Sequence, residues 1–473
     1  MVFSTAEFGV FFVLVFFVTW ALGDRTRGRN LFLGAASLYF YACWSPLYLL
    51  LILFSVATNY AAAILLSRPG ARRRLWLAAG VISNLAILFA YKYLGFATSS
   101  LQLLADALDL GVKVPVLSLV LPVGISFYTF QSMSYTVDVY RGDLPACKNP
   151  WDFLTYVAFF PQLVAGPIVR ARDFIPQLSR PSAVTDAQAG EAIHRILLGL
   201  VKKVAISDFL AVNLVDRVFE NPAMYSSVEV LVGVYAYALQ IYCDFSGYSD
   251  IAIGTARLLG FHLEENFALP YRAASLREFW RRWHISLSTW LRDYLYVPLG
   301  GSRGLRRWHT YRNLFITMLL GGLWHGPGWT WVAWGGLHGL GLAWERFLEG
   351  RRKDRVPAAA PSGWRRALGI VVTFHVVCAL WVLFRARSFP RAMEVFGALG
   401  ELTFQTPNLP WTVLLALAAG YLGHLLPDAL PRASVRWFQR LPAAGWAAVA
   451  AAVIYTLGLV ASSEVVPFIY FQF

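Results

Sequence analysis

The sequence predicts an all-helical protein that crosses a membrane many times, and two observations support this fold class. Hydrophobic residues make up 58% of the 473 positions and charged residues only 14%, whereas soluble domains average about 45–50% and about 25%. Stretches such as 6–22, 46–66 and 410–427 are almost free of charge, and about 20 apolar residues are enough to span the hydrocarbon core. We therefore expect a polytopic membrane protein with about 11–12 transmembrane helices.

Twelve segments are candidate spans, and in chain order they are 6–22, 30–43, 46–66, 75–94, 117–137, 204–219, 228–258, 312–325, 330–348, 366–386, 410–427 and 444–463. The first has no basic residues ahead of it and no small-residue cleavage site after it, so we expect a retained span. Segments 30–43 and 312–325 are short, which suggests tilted, half-buried or re-entrant helices. Segment 228–258 is too long for one straight crossing, and we expect a break near 244–247.

The net charge of +14 resides mainly in the loops between these segments. If the amino terminus lies outside and the spans alternate, the cytoplasmic loops hold 35 of the 41 Lys and Arg residues. This is the positive-inside distribution that sets membrane topology, so the charge does not indicate a nucleic-acid partner. We expect a multi-pass protein of the cell inner (plasma) membrane that contacts lipid and has both termini extracytoplasmic.

Two cytoplasmic-side segments, 153–168 and 275–300, are too apolar for ordinary loops. Irregular backbone at membrane depth is tolerated where protein buries it or where it lines a cavity, so we expect both segments to form re-entrant walls of an internal chamber. The four scattered cysteines indicate neither a disulfide framework nor a metal site. The chain is predicted to be a single domain over 1–473, with a core at about 117–348 and a terminal helix and tail at 444–473.

His325 is the first candidate for chemistry, in the motif GGLWHGPGW at 321–329. It ends a short apolar span, and Pro327 prevents the helix from continuing. Ionisable side chains at membrane depth usually face an interior cavity, and imidazole titrates near neutral pH, which suits a general base. The alternative is a neutral histidine that is hydrogen-bonded between helices.

The segment WRRWHISLSTWLRDYLYVPLGGSRG, 280–304, predicts an amphipathic helix. Its apolar stripe repeats at steps of three and four residues, through Trp280, Trp283, Leu287, Trp290 and Tyr294. Its polar stripe runs through Arg281, His284, Ser288 and Arg292. Such a helix ordinarily lies on anionic lipid. The functional alternative points His284 into the chamber, while Arg281, Arg282 and Arg292 attract an anionic donor through guanidinium–phosphate bonds.

Two further segments carry polar groups in apolar surroundings. Asp244, Ser246 and Asp250 lie within a predicted span, where we expect them to be paired with arginines or with freed backbone in an architectural role. The ending PFIYFQF, 467–473, could anchor a helix at the membrane interface as an aromatic belt does. It has no polar tail, however, so we expect it to be tucked into protein, where Tyr470 offers a nucleophilic hydroxyl.

Several motifs together resemble the membrane-bound O-acyltransferase (MBOAT) family and, within it, the bacterial branch that O-acetylates alginate. They include LPVGISFYTF at 121–130, FPQLVAGPIVR at 160–170, DFSGYSDIAIG at 244–254, FWRRWHISLSTWLRDYLY at 279–296, RNLFITMLLGGLWHG at 312–326 and FIYFQF at 468–473. The resemblance implies a ring of tilted helices around a central tunnel. It also implies that His325 is catalytic and that His284 accompanies it.

The same resemblance implies a donor, acetyl-CoA, and no permanently bound cofactor or metal. We expect Arg281, Arg282, Arg292, Trp283 and Ser288 to bind this donor. Tyr470 matches a tyrosine that is proposed as an acyl carrier in teichoic acid D-alanylation systems. A periplasmic acetyltransferase or acceptor-polysaccharide machinery is the expected partner, and an alginate-like polysaccharide, then peptidoglycan, is the expected acceptor.

Two other functions stay open on the sequence. Broken helices and buried histidines also suit a transporter or flippase of an acyl donor or lipid-linked sugar, although the chain contains no detectable inverted repeat. A D-alanyl transferase of the same family is the other alternative, which the in-chain FIYFQF disfavours.

Overall fold

All regular secondary structure in the described part of the chain is helical. The computed structural model describes residues 1, 3–116, 119–164, 166–303, 306–353, 363–461 and 468–469. The α-helices are α1 Ala6–Ala21, α2 Thr26–Ala42, α3 Leu49–Leu66, α4 Arg73–Leu88, α5 Leu94–Ala107, α6 Ile125–Arg141, α7 Pro150–Ala158, α8 Phe160–Leu163, α9 Ala171–Leu178, α10 Asp186–Leu200, α11 Asp216–Glu220, α12 Ser227–Leu258, α13 Leu276–Trp280, α14 Ile285–Leu291, α15 Arg307–His325, α16 Trp329–Lys353, α17 Trp364–Arg385, α18 Phe389–Gly400, α19 Trp411–Leu425, α20 Ala429–Gln439 and α21 Ala443–Val460. Segments of π-helix lie at Phe89–Tyr93, Val201–Asp208, Ala211–Val215 and Arg292–Tyr296, and 3-10 turns lie at Pro222–Met224 and Pro270–Arg272.

Five described helical stretches are long and apolar enough to cross a membrane: Leu49–Leu66, Arg73–Ala107, Ser227–Leu258, Trp364–Arg385 and Ala443–Val460. Helices α19 and α20 would make a sixth crossing together, although the chain bends by 96° between them. The polytopic helical class is therefore confirmed. Several other candidate spans fall on shorter helices, such as α1 with 16 residues, so length and composition support fewer full crossings than the twelve predicted segments.

The predicted break in segment 228–258 is wrong, because α12 runs unbroken for 32 residues. Gly247, within the stretch where the break was expected, has a packing role. A Cβ at Gly247 would lie 2.8 Å from the carbonyl oxygen of Gly199, and a Cβ at Gly199 would lie 2.7 Å from that of Gly247. The two backbones therefore touch, which requires glycine at both positions.

Two other helix boundaries in the structure differ from the predicted limits of the spans. The segment expected to end at 94 continues through the π-helix Phe89–Tyr93 into α5, giving a helical stretch of 35 residues. The segment expected to begin at 117 becomes helical only at Ile125. Gly124 precedes it with φ +74°, and a Cβ there would lie 2.8 Å from the Leu163 carbonyl oxygen.

The described residues group into two compact units. The first comprises Met1–Ala192 with Ala252–Glu264, and the second comprises Ile193–Ile251 with Glu265–Phe473. In the first unit, the buried guanidinium of Arg29 donates to the backbone carbonyls of Leu178 and Arg180, both at 2.8 Å. Arg29 thus satisfies backbone acceptors that the end of α9 leaves open.

The 153–168 segment belongs to the first unit and is interrupted, as its prolines and glycine predict. Helix α7 ends at Ala158, α8 covers only Phe160–Leu163, and the side chains of Phe159 and Phe160 are fully buried. The freed carbonyl of Tyr156 accepts hydrogen bonds from the side-chain amides of Gln131 and Gln162, at 2.7 and 2.5 Å. Protein groups therefore satisfy this irregular backbone.

In the second unit, α15 and α16 pack against each other along a glycine seam. A Cβ at Gly322 would lie 2.3 Å from the Trp331 carbonyl oxygen, and a Cβ at Gly335 would lie 2.3 Å from that of Met318. The two helices therefore meet backbone to backbone, and this fixes the position of the turn that joins them.

Candidate active site

The turn between α15 and α16 carries His325, the last residue of α15. Gly326 is fully extended, with φ −159° and ψ 152°, and Pro327 follows it, so the helix stops at the histidine. The glycine seam holds the two helices close on either side of this turn. His325 therefore sits at a fixed point of the second unit.

The imidazole of His325 is 3% exposed and lies among aromatic rings. Its ring centroid is 5.0 Å from that of Trp324, 5.2 Å from Trp334 and 5.4 Å from Phe384. Such apolar surroundings have a low local dielectric, which strengthens every polar interaction that the ring makes with a reacting group. Closed active sites use such water-excluded surroundings to strengthen the electrostatic interactions inside them.

His284 lies between α13 and α14 in the left-handed conformation, with φ 42° and ψ 56°. Few non-glycine residues adopt it, and such strain often marks a functional position. Asn266 holds the following residues in place: its carbonyl accepts from the Ile285 amide at 2.9 Å, and its side-chain oxygen accepts from the Ser286 hydroxyl at 2.9 Å. His284 is fully buried, and its ring centroid lies 6.5 Å from that of His325. The structure thus brings the two predicted histidines together.

The prediction of one amphipathic helix over this segment is wrong. Helix α13 ends at Trp280, α14 begins at Ile285, and a π-helix follows from Arg292. The left-handed residue between the two helices turns the chain, so His284 leaves the stripe it was assigned to. It is fully buried, whereas Arg281 and Arg292 are exposed.

A cavity of about 490 Å³ lies beside these helices, entirely within the second unit. Ligand pockets typically measure about 300–1,000 Å³. Its apolar lining is Trp280, Ile285, Leu291, Leu314, Met318 and Leu342. Its polar lining is Arg277, Arg281, Arg292, Arg346, Ser288, Thr289, Tyr296, Ser302, Thr310 and Thr317. Four guanidinium groups with hydroxyls and an apolar floor suit an amphipathic anion.

The four arginines differ in how far acidic groups already engage them. Arg277 and Arg346 share Glu349, at 2.6 and 3.3 Å, and Arg292 pairs with Asp293 at 2.7 Å. Arg281 forms no ion pair with any described residue. Its charge is therefore the most available of the four to a ligand.

Of the five predicted donor-binding residues, Arg281, Ser288 and Arg292 line the cavity, whereas Arg282 and Trp283 do not. The Arg282 guanidinium bonds to the Glu278 carboxylate at 2.9 Å and to the Ala268 carbonyl at 2.9 Å. Trp283 is fully buried against Trp381, with ring centroids 5.0 Å apart. Both therefore support the local fold.

These contacts also stabilise the charged form of the Glu278 carboxyl group. Partial burial by itself would raise the pKa of its carboxyl, but hydrogen bonds from the Ala274 amide and from the guanidinium groups of Arg282 and Arg366 lower that pKa below its usual value. Glu278 is therefore ionised at neutral pH and keeps Arg282 directed away from the cavity.

Two residues that line the cavity connect it to the surroundings of His325. Met318 lines the cavity, and His325 lies seven residues further along the same helix, about 10 Å at 1.5 Å per residue. Leu291, another lining residue, packs on Gly321, one turn before His325. A ligand seated among the arginines thus needs an extended arm of this order to reach the histidine.

Two described residues that follow α21 in the chain also lie in this region. Tyr470 lies outside the described residues, but its neighbours Phe468 and Ile469 are described, at 0% and 3% exposure. The ring centroid of Phe468 is 5.4 Å from that of Phe245, which in turn lies 4.6 Å from that of His284. One aromatic ring therefore separates Phe468 from His284, as expected for an ending tucked into protein.

Sequence reasoning missed the partners of the α12 carboxylates. It expected arginines or freed backbone, and Arg195 does pair with Asp250, but two lysines are equally involved. Lys202 pairs with Asp250 at 2.6 Å, and Lys203 with Asp244 at 2.7 Å. Two adjacent lysines inside the apolar run LGLVKKVAIS were the available signal, because charges in such surroundings need buried partners.

Comparison with known proteins gives consistent results. Residues 147–381 match the model of the membrane-bound O-acyltransferase family. The chain is 44% identical to a Pseudomonas aeruginosa protein named probable alginate O-acetylase AlgI over 429 residues, covering 89% of this chain and 79% of that protein. It is 34% identical to the peptidoglycan O-acetyltransferase of Helicobacter pylori, covering 81% and 76%, and 28% identical to the teichoic acid D-alanyltransferase of Bacillus subtilis, covering 56% and 69%.

Proposed function

This chain belongs to the membrane-bound O-acyltransferase family and is a multi-pass membrane O-acyltransferase, and on that premise we propose its substrates and its route of transfer. The chain takes acetyl from cytoplasmic acetyl-CoA and passes it through the membrane for O-acetylation of an extracytoplasmic polysaccharide. The observation that carries this proposal is the pairing of His284 and His325 within reach of an arginine-lined cavity.

The donor assignment follows from the cavity lining. Coenzyme A carries phosphates at one end and the acyl thioester at the other, joined by a long flexible arm. The arginines suit the phosphates through charge-assisted hydrogen bonds, and the apolar floor directs the arm along α15. The remaining distance of about 10 Å from Met318 to His325 is then covered by the arm rather than by the charged head.

The chemistry assigned to the histidines is acyl transfer. His325 takes the proton of an incoming hydroxyl while the hydroxyl oxygen attacks the thioester carbonyl carbon. The carbon–sulfur bond breaks, and the thiolate leaves with the returned proton. His284 orients the hydroxyl or polarises the carbonyl. General-base assistance is typically worth about 10²–10⁴-fold, so positioning supplies much of the remaining acceleration.

The hydroxyl of Tyr470 is the proposed first acceptor. The position of Phe468 beside Phe245 and the bond from the Ile469 amide to Asp244 support this assignment. An acetyl-tyrosine would then pass its acetyl group to a periplasmic acetyltransferase or to acceptor-polysaccharide machinery. The distribution of loop charges supports an orientation with both termini outside the inner membrane, which is the side where this second transfer would take place.

The acceptor is assigned from the named relatives. An alginate-like polysaccharide is the first candidate and peptidoglycan is the second, because relatives that match more than four fifths of the chain carry those names. D-alanine is a weaker cargo candidate, since the D-alanyltransferase relative matches only 56% of the chain.

The decisive experiment measures acetyl-CoA turnover by the purified protein in nanodiscs. His325→Ala should lower the rate by about 10²-fold or more while the unfolding temperature stays unchanged. His424→Leu is the matched control, because His424 is also buried, at 4% exposure, but lies outside the site. Normal turnover by His325→Ala would refute the assignment. Absence of any turnover in the unmodified protein would overturn the assignment of acetyl-CoA as the donor.

The relay has its own test in cells that make the acetylated polymer. Tyr470→Phe removes only the hydroxyl, so polymer acetylation should be lost while coenzyme A still binds. Unchanged acetylation would remove Tyr470 from the mechanism and leave the histidines in place.

A further inference from the structure

Ile469, in the described part of the 468–473 segment, is bonded to a buried ion pair that has no assigned role in the chemistry. We propose that Lys203 and Asp244 are positioning residues, which clamp this segment beside His284 through the backbone amide of Ile469. This inference rests on the proposed function, because it assigns the clamp to the segment that carries Tyr470.

The contact itself is a single short hydrogen bond. The Ile469 amide donates to one carboxylate oxygen of Asp244 at 2.7 Å, and the other carboxylate oxygen pairs with the Lys203 ammonium at 2.7 Å. The side chains of Asp244 and Lys203 are only 3% and 1% exposed. Both oxygens of Asp244 are thus committed, one to the ion pair and one to the segment.

Lys203 is what allows Asp244 to remain a charged acceptor. A lone buried carboxylate would be strongly disfavoured, whereas a well-paired one persists. The ammonium of Lys203 also pairs with Asp208 at 2.6 Å and lies 5.5 Å from the ring centroid of Tyr248. It is therefore fixed from several sides. A charged acceptor binds an amide about twice as strongly as a neutral one.

The backbone geometry explains why this lysine reaches α12. Lys203 lies in the π-helix Val201–Asp208, immediately after α10, and π-helical turns are frequent at functional sites. Gly199 and Gly247 bring the two backbones into contact just before it. A larger residue at either glycine would push the lysine away from Asp244.

Aromatic packing completes the clamp. Phe468 is fully buried, and its ring centroid lies 4.6 Å from that of Tyr248 and 5.4 Å from that of Phe245. Because Phe245 also touches His284, at 4.6 Å between ring centroids, the segment cannot leave without opening the wall beside that histidine. The clamp therefore determines whether the segment is presented to the site.

Hydrogen exchange of the Ile469 amide reports directly on its bond to the Asp244 carboxylate. Asp244→Leu removes the acceptor and should raise exchange of the 468–473 segment by about tenfold or more, as for loss of a bond to a charged group. Asp244→Asn keeps an acceptor oxygen and should give a smaller rise. Asp250→Asn is the matched control, because Asp250 lies on the same helix and pairs with Lys202 and Arg195 rather than with the segment.

Steady-state kinetics distinguish a positioning role of Asp244 from a general loss of structure. For Asp244→Leu we expect kcat for acetyl transfer to fall at least tenfold while the KM for acetyl-CoA stays unchanged, because the donor cavity is elsewhere. In Asp244→Asn, kcat should be lowered less than in Asp244→Leu, just as hydrogen exchange of the segment should rise less. If Asp244→Leu fails to fold, kcat and KM of Asp244→Asn can be compared with those of the unmodified protein instead.

Two results would overturn the proposal: unchanged exchange of the segment in both Asp244 variants, or faster exchange with normal transfer. If the proposed Tyr470 relay were wrong, the experiments would give a different pattern of results. Tyr470→Phe should leave the Ile469 amide protected, so normal transfer by that variant removes the relay without touching the clamp.

Discussion

Removing the Arg281 guanidinium should weaken coenzyme A binding, whereas removing its neighbour Arg282 should not. Both residues belong to the same short sequence motif, yet only Arg281 lines the cavity. Arg282 is committed to Glu278 and to the Ala268 carbonyl. The pair therefore tests whether the cavity, rather than the basic motif as a whole, binds the donor.

The magnitude follows from the state of Arg281 in the free protein. It has no ion pair with a described residue, so Arg281→Ala leaves no carboxylate stranded and its effect reports on the ligand alone. A hydrogen bond to a charged group is worth about 1.5–3 kcal/mol, which corresponds to about 10- to 150-fold in Kd. Because Arg281 is exposed, solvent screens the contact, and we expect the lower end, about tenfold.

Calorimetric titration of coenzyme A into nanodisc-embedded protein measures this directly. Arg281→Ala should raise Kd about tenfold, and the difference from the unmodified protein should shrink as salt is added. Arg282→Ala should stay within about twofold. Equal losses in the two variants, or none in Arg281→Ala, would show that the donor does not bind in this cavity.

Three further predictions concern the site and its scaffold. His284→Ala should lower kcat for acetyl transfer about 10²-fold with little change in the KM for acetyl-CoA, measured by steady-state kinetics; an unchanged kcat would remove His284 from the mechanism. Asn266→Ala should destabilise the start of α14 by about 1–2 kcal/mol and lower kcat, because Ser286, two residues after His284, loses its side-chain acceptor, and thermal unfolding beside kinetics would detect both effects. Gly322→Val should prevent the α15–α16 contact and cost more than about 1–3 kcal/mol, whereas Gly458→Ala, whose Cβ meets nothing within 4 Å, should be neutral or slightly stabilising; equal unfolding temperatures for the two glycine variants would contradict the seam.

Hydropathy located most of the helical segments but not their limits. Apolar stretches report where a chain avoids water, so α3, α17 and α21 match predicted spans within a few residues. The length of segment 228–258 led to the expectation of a break near 244–247, whereas α12 is continuous, and hydropathy does not detect the close backbone approach that Gly247 allows there. Hydropathy also missed the continuation beyond residue 94 into α5, which follows the π-helix Phe89–Tyr93 without interruption.

Periodicity placed His284 on a stripe with three residues that the structure separates from it. A step of three or four residues assumes one regular helix, and one left-handed residue invalidates that assumption. The preference for a positive φ at His284 depends on Asn266, which lies 18 positions earlier and belongs to no recognised pattern. The sequence therefore singled out two histidines that lie 6.5 Å apart in the structure, but it predicted the wrong backbone geometry around His284.

By itself, the sequence determined the membrane environment, the helical class and the identity of His284 and His325 as residues in unusual surroundings. These properties depend on composition and on short motifs, which are visible in neighbouring residues of the sequence. Only the tertiary structure decided which arginines line the cavity, which lysine pairs with Asp244 and where residues 468–469 lie. Each of these contacts joins groups from separate helices, and their distances depend on backbone packing that no local pattern encodes.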